Sequence, residues 1–134
     1  MAYNTELNFF EHLQNVGVGE SFNSMMGGYH QGRASWMDAN FYPVQERLVD
    51  GFDKENKEAA MLVDIGGNMG HDLEEFGRKH PEVPGRLVLQ DLPVIIGQIK
   101  KLDKRVEPME YDFYTEQPVK GKFRSHLALY NFVC

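Results

Sequence analysis

The chain has 134 residues, 42% of them hydrophobic and 25% charged, with a formal net charge of −6. That is enough for one modest soluble-type domain with a real core, and the acidic balance excludes the basic footprint of a nucleic-acid binder. The single cysteine, Cys134, excludes an intrachain disulfide and a cysteine-built metal site. No metal is therefore assigned, and a reducing, cytoplasmic setting is expected. No apolar run approaches the length of a membrane span, and the first residues lack a basic-then-apolar export pattern, so no membrane partner is expected.

Residues 3–16 are amphipathic: Leu7, Phe10, Leu13 and Val16 fall near one helical face, and Gly17 and Gly19 end the pattern. This stripe and the apolar residues 126–133 need partners, which predicts a homo-oligomer or a second protein with those two segments at the contact. Ser21 caps a short helix over residues 22–26, stopped by Gly27-Gly28. Residues 29–38 mix aromatics, His30, Gln31, Arg33 and the only tryptophan, Trp36. That composition fits a pocket wall or a well-packed loop. Helical spacing resumes through Val44, Leu48, Val49 and Phe52. A charged connection, residues 53–58, leads into a strand over residues 60–65, apolar on both faces as a buried parallel strand should be.

The rest of the chain is organised around the end of that strand and the turn beyond it: Asp64-Ile65-Gly66-Gly67-Asn68-Met69-Gly70. Strand, glycine turn, helix is the opening unit of a nucleotide-binding α/β sheet. Glycines allow positive φ and let a backbone approach a ligand, and the helix N-terminus supplies free N–H groups. The spacing is not the dinucleotide pattern G-x-G-x-x-G. Gly-x-x-x-Gly with an acid two places upstream suits an amine-bearing nucleoside such as S-adenosylmethionine, which has no phosphate to cradle. A ligand-free glycine turn is the alternative.

A helix over residues 69–80 buries Met69, Leu73 and Phe76 and places acids first and bases last, matching its dipole. Residues 86–90 form a second strand. Asp91 ends it, about twenty residues past the turn, where a doubly wound fold places the acid that receives both ribose hydroxyls. It also precedes Leu92-Pro93, a helix start, so a capping role stays open. A helix over residues 93–102, a third strand over 106–111 and a fourth over 126–133 complete the reading. Asp112 and Phe113 end the third strand with a carboxylate and a ring. The fold class is thus α/β: a partial Rossmann-like core with a parallel sheet of about four strands, preceded by short helices. The expected division is a helical segment, residues 1–58, and a core, residues 59–134.

Several stretches resemble one family in order: residues 22–26, 29–38, 41–48, 63–73 and 85–93, then Asp112-Phe113. They look like the S-adenosylmethionine-dependent O-methyltransferases of fungal natural-product pathways, over roughly residues 20–122. The resemblance implies that Asp64, Gly66 and Gly70 line the methionine end of S-adenosylmethionine, with Gly67 between them in the same site. It further implies that Asp91 bonds the ribose, that Leu92, Asp112 and Phe113 flank the adenine, and that Phe22 and Met26 touch the acceptor, with Trp36 in the substrate wall. Asn68 stands where the family usually has glycine.

The family's general-base histidine, followed by an acid and tryptophan, has no counterpart, so no catalytic residue is assigned. His126 is better read as filler. The chain reads as truncated at its C-terminal end relative to the family. Three functions stay open: the cofactor-binding part of an O-methyltransferase acting on a hydroxyl of a small aromatic or polyketide-like acceptor, an inactive partner or scaffold module, and a catalyst of rearrangement or cyclisation without methyl transfer.

Overall fold

The computed structural model describes residues 12–13, 15–31, 34–56, 58–120 and 126–128. The expected contact residues Leu7 and Phe10 lie outside them, as does the fourth strand beyond residue 128. The chain forms two compact units, Met1–Arg33 and Ala34–Cys134.

The first unit holds helix α1, Gly19–Gln31. The expected stop at Gly27-Gly28 does not occur. Glycine weakens a helix by about 1 kcal/mol relative to alanine, and its usual way of ending one is to turn the backbone left-handed. Gly28 is not among the glycines with positive φ, so the helix runs on.

The second unit is built on four parallel strands: β1 (Ala60–Ile65), β2 (Arg86–Asp91), β3 (Val106–Glu110) and β4 (His126–Ala128), in the order β3-β2-β1-β4. The expected parallel sheet of about four strands is therefore present. β1 sits inside and is buried on both faces: Met61, Leu62, Val63 and Asp64 are fully buried. Leu62, Leu87 and Leu89 belong to one apolar layer and Val63 and Val88 to the other, as strand alternation requires, while a register shift between Ala60 and Leu62 sets Ala60 on the side of Val63. β3 is an outer strand, with Glu107, Pro108 and Glu110 exposed. A two-bond ion pair joins Arg86 to Glu107 across β2 and β3 at 2.7 and 2.9 Å.

The larger layer is covered by helix α2 (His71–Lys79), whose Leu73 and Phe76 are fully buried. Each such side chain contributes about 1.5–3 kcal/mol by leaving water. The Arg105 guanidinium donates to the carbonyls of Gly77 and Val83 and ties the end of α2 to the loop beyond it.

Residues 34–52 share this layer through Met37, Val44, Leu48, Val49 and Phe52. The helical spacing at 44–52 is realised as a π-helical stretch, Gln45–Val49, closed by Asp50 N–H on the Gln45 carbonyl. The wider turn still buries Val44, Leu48 and Val49. The Phe52 ring fills the place where a Cβ on Gly85 would stand, 2.4 Å away. The helix after β2, α3, is only Pro93–Ile96; turns follow from Gly97, while Ile96, Ile99 and Leu102 still pack on the core. Glycine at position 97 weakens the continuation, and the apolar spacing is satisfied by turns instead.

Candidate functional site

The order β3-β2-β1-β4 reverses the chain's direction of travel between β1 and β4. Ligands of such sheets bind outside the carboxyl ends of the strands near that reversal. Every acid and glycine singled out between residues 64 and 113 sits at, or just beyond, those ends.

The glycine turn leaves β1 and leans on β2. Gly66 and Gly67 N–H donate to the Gln90 carbonyl at 2.7 and 3.3 Å, and Gly70 N–H closes back on the Gly67 carbonyl at 2.9 Å. Its glycines serve different needs. Gly66 has φ +72 and open space where a side chain would stand, so its requirement is conformational. Gly67 is needed for closeness: a Cβ would lie 2.5 Å from Asp64 Oδ2 and from Leu89 Cδ1. Gly70, φ +82, precedes α2 against Leu89 and Leu102. Asn68 is left-handed at φ 53, a conformation asparagine tolerates better than most residues. The bend thus keeps the shape a glycine would give it.

Asp91 joins the turn to β2. Its Oδ2 accepts Asn68 N–H at 2.8 Å and its Oδ1 accepts Leu92 N–H at 2.7 Å. The capping reading and the ligand reading are compatible. Each oxygen takes one backbone donor, and a carboxylate has capacity for more. Burial raises the Asp91 pKa, and the two N–H donors oppose that rise.

Asp64 is different. It is fully buried, and neither carboxylate oxygen has a hydrogen-bond partner. Burial raises its pKa well above the usual carboxylate range, and the negative charges of Asp72 and Asp91 push it the same way. Asp72, on α2, is itself buried and accepts the Trp36 indole N–H at 3.0 Å. Trp36 also meets Tyr42 edge-on at 6.1 Å. An unpaired buried acid beside two others is costly for the protein alone. A positive charge brought to the turn would offset that cost. The residues present therefore fit a cationic nucleoside with an amine at the glycine turn and hydroxyls at Asp91.

Beyond β3, Asp112 and Phe113 stand on an exposed rim. Tyr111 N–H donates to the Asp91 carbonyl at 2.8 Å, which brings the start of this loop to the end of β2. The Asp112 carboxylate accepts Tyr114 N–H at 2.9 Å, and the rings of Phe113 and Tyr114 are 4.5 Å apart. Leu92 is half-buried next to Asp91. Phe22 and Met26 lie on α1, in the first unit, and the Met26 side chain is outside the described part. Sequence reasoning missed Gln90 and Gln117, whose amides pair beneath the loop. The available signal was a glutamine inside the apolar run of β2. Among the described residues no group of His, Cys, Asp or Glu is arranged to hold a metal, and no helix is long and apolar enough to cross a membrane.

A parallel sheet in this order, with a glycine turn after its first buried strand and an acid at the tip of the second, defines a Rossmann-like nucleoside-binding domain. No protein-family model matches the chain. Among curated proteins it is 43% identical over 121 residues to the O-methyltransferase mpaG of Penicillium roqueforti, covering 89% of this chain and 30% of that one. It is 41% identical over 101 residues to the methyltransferase cfoC of Aspergillus candidus, covering 75% and 24%. Among solved structures it resembles LepI in complex with SAM (TM-score 0.63, 31% identity, 90% of this chain, 30% of that chain). A pericyclic reaction enzyme gives 0.64 at 31% identity, with the same shares. OxaC in complex with sinefungin and meleagrin gives 0.60 at 28% identity, with 87% and 29%. The chain belongs to the fungal S-adenosylmethionine-dependent O-methyltransferase family, and it spans under a third of the length of the relatives it matches.

Proposed function

We infer that this chain is the S-adenosylmethionine-binding part of an O-methyltransferase whose acceptor is a hydroxyl on a small aromatic or polyketide-like molecule of secondary metabolism. The observation that carries this reading is the joining of the glycine turn to Asp91 through Asn68 N–H, beside the unpartnered carboxylate of Asp64. The cofactor, when bound, supplies an electrophilic methyl group on sulfur. The chain's own residues bind and orient it. Asp64 provides the field for its ammonium, Asp91 receives its ribose hydroxyls, and Leu92, Asp112 and Phe113 border its adenine. Gly66, Gly67 and Gly70 let the backbone come close. Such positioning sets the line of attack, which is the larger part of what a methyl transfer needs. No residue of this chain is assigned the acceptor's base.

Methyl transfer is preferred to an inactive module or a rearrangement catalyst. The relatives at 41–43% identity are named as methyltransferases, while the pericyclic neighbour stands at 31%. Self-association through residues 3–16 belongs to the same proposal, and replacing Leu7 and Phe10 by aspartate should lower the mass seen by light scattering.

Titration calorimetry of S-adenosylmethionine into the purified chain tests the cofactor reading. Saturable binding, lost in Asp91→Ala, is the expected result. No heat in the wild type, with the fold intact by circular dichroism, would refute it. Methyl transfer to phenolic acceptors, with the relatives' remaining portion supplied as a second chain, tests the activity.

A further inference from the structure

Gln90 sits in β2 between Leu89 and Asp91 and is fully buried. Alternation along the strand sets it on the face opposite Asp91. Its carboxamide forms a closed ring with that of Gln117. Gln90 Nε2 donates to Gln117 Oε1 at 2.7 Å, and Gln117 Nε2 donates to Gln90 Oε1 at 2.8 Å. Gln90 Nε2 also lies 3.2 Å from Met109 Sδ. Gln117 Oε1 takes a further donor, Val119 N–H at 3.0 Å, and Val119 is buried in the smaller apolar layer with Val63 and Val88.

The loop between these anchors carries the aromatic rim. Its start is held by Tyr111 N–H on the Asp91 carbonyl, and past that point its bonds are local. Asp112 receives Tyr114 N–H on its carboxylate, and both Thr115 N–H and Thr115 Oγ1–H on its carbonyl; Tyr111 O–H reaches the Thr115 carbonyl. Local turns shape a loop but do not set its place over a sheet. At the loop's far end Gln117 does, because it is held by a strand residue 27 positions away. The same strand residue serves the turn, since the Gln90 carbonyl accepts Gly66 and Gly67 N–H. Through its backbone Gln90 holds the glycine turn, through its chain neighbour it places Asp91, and through its side chain it holds the loop bearing Asp112 and Phe113. An amide pair suits this task. It satisfies two donors and two acceptors in a dry interior without burying a charge.

We propose that the Gln90–Gln117 amide pair is a positioning device that presets the Asp112–Tyr114 rim relative to the glycine turn and Asp91, so that the ring system of a bound ligand meets a wall already in place. The proposal rests on the adenosyl-binding reading for the ligand's identity, but not for the loop's placement.

Two measurements decide it. Hydrogen exchange on the ligand-free chain compares wild type with Gln117→Leu. Amides of residues 112–117 should exchange at least about tenfold faster in the variant, while those of β1 and α2 stay unchanged. The second is a double-mutant cycle on the Kd for S-adenosylhomocysteine, using Gln117→Leu and Phe113→Ala. Gln117→Leu should weaken binding about tenfold when Phe113 is present and less than about twofold when it is absent, because the amide acts through the ring it positions. A merely structural role would give additive losses. Unchanged loop exchange overturns the proposal, and so do additive losses in Kd. If the wild type binds no S-adenosylhomocysteine, the adenosyl reading fails and the exchange comparison alone decides the loop's placement. Should the leucine variant not fold, Gln117→Asn keeps the amide but shortens its reach, and the same outcomes apply.

Discussion

Replacing Asp64 by asparagine should make this protein more stable and a worse binder. In the wild type the carboxylate is fully buried, has no hydrogen-bond partner and faces the charges of Asp72 and Asp91. Its pKa is raised by burial first and by those two acids second. The unfolded chain releases this proton near pH 4, at about 3.9. The folded chain holds it to higher pH, so between those values the folded state carries more protons. Stability is therefore full below about pH 4 and is lost as pH rises through the folded pKa. Asparagine keeps the shape and removes the titration.

A buried charge without a partner costs about 3–5 kcal/mol, whereas a buried neutral amide without one costs about 1–3 kcal/mol. The variant should gain about 2 kcal/mol at alkaline pH, about 7 °C in Tm for a domain of this size. Urea melts at pH 5 and pH 8 measure it. The fluorescence of Trp36 serves as reporter, since its indole is bonded to Asp72 beside the site. The gap between variant and wild type should widen from pH 5 to pH 8. Calorimetry should show S-adenosylmethionine binding at least about tenfold weaker in the variant, about 1.4 kcal/mol. Equal melts at both pH values, or a variant less stable at pH 8, would refute the account of Asp64. Unchanged affinity would refute its part in binding.

Gly67→Ala should lower Tm and abolish saturable binding, because the new Cβ would stand 2.5 Å from both Asp64 and Leu89; overpacking of this kind costs about 1–3 kcal/mol. Gly66→Ala, with open space but φ +72, should cost only about 1–2 kcal/mol, and Gly66→Asn less; thermal melts of the three variants separate closeness from conformation. Phe76→Ala, at a fully buried position on α2, should lose about 3–5 kcal/mol in urea unfolding. Trp36→Phe leaves Asp72 without its indole donor and should cost about 1–3 kcal/mol, read by circular dichroism because the fluorophore is gone.

Local pattern and chemistry carried much of this fold to the reader of the sequence. β1 was visible because a run apolar on both faces belongs inside a sheet covered on both sides, Asp64 because it stands just before a glycine turn, and Asp91 because it ends the next strand about twenty residues further on. The amphipathic spacing of 44–52 was visible too, but spacing records which side chains face inward. It does not say whether the backbone closes as an α- or a π-turn, and here it is the latter. The helix after β2 was read too long because Ile99 and Leu102 keep helical spacing while packing from turns. Trp36 was legible as a residue with a purpose, yet its hydrogen bond to Asp72 spans 36 positions. The partnership of Gln90 with Gln117 was invisible for the same reason: pairing at long separation is decided by topology, and nothing local announces it.

The proline on β3 gives this sheet a finished side. A foreign segment approaching β3 finds, at Pro108, a position with no N–H to offer, with the exposed carboxylates of Glu107 and Glu110 close by. Proteins forestall fibre-like stacking with features of this kind. A further strand is thereby discouraged from joining the sheet beside β3.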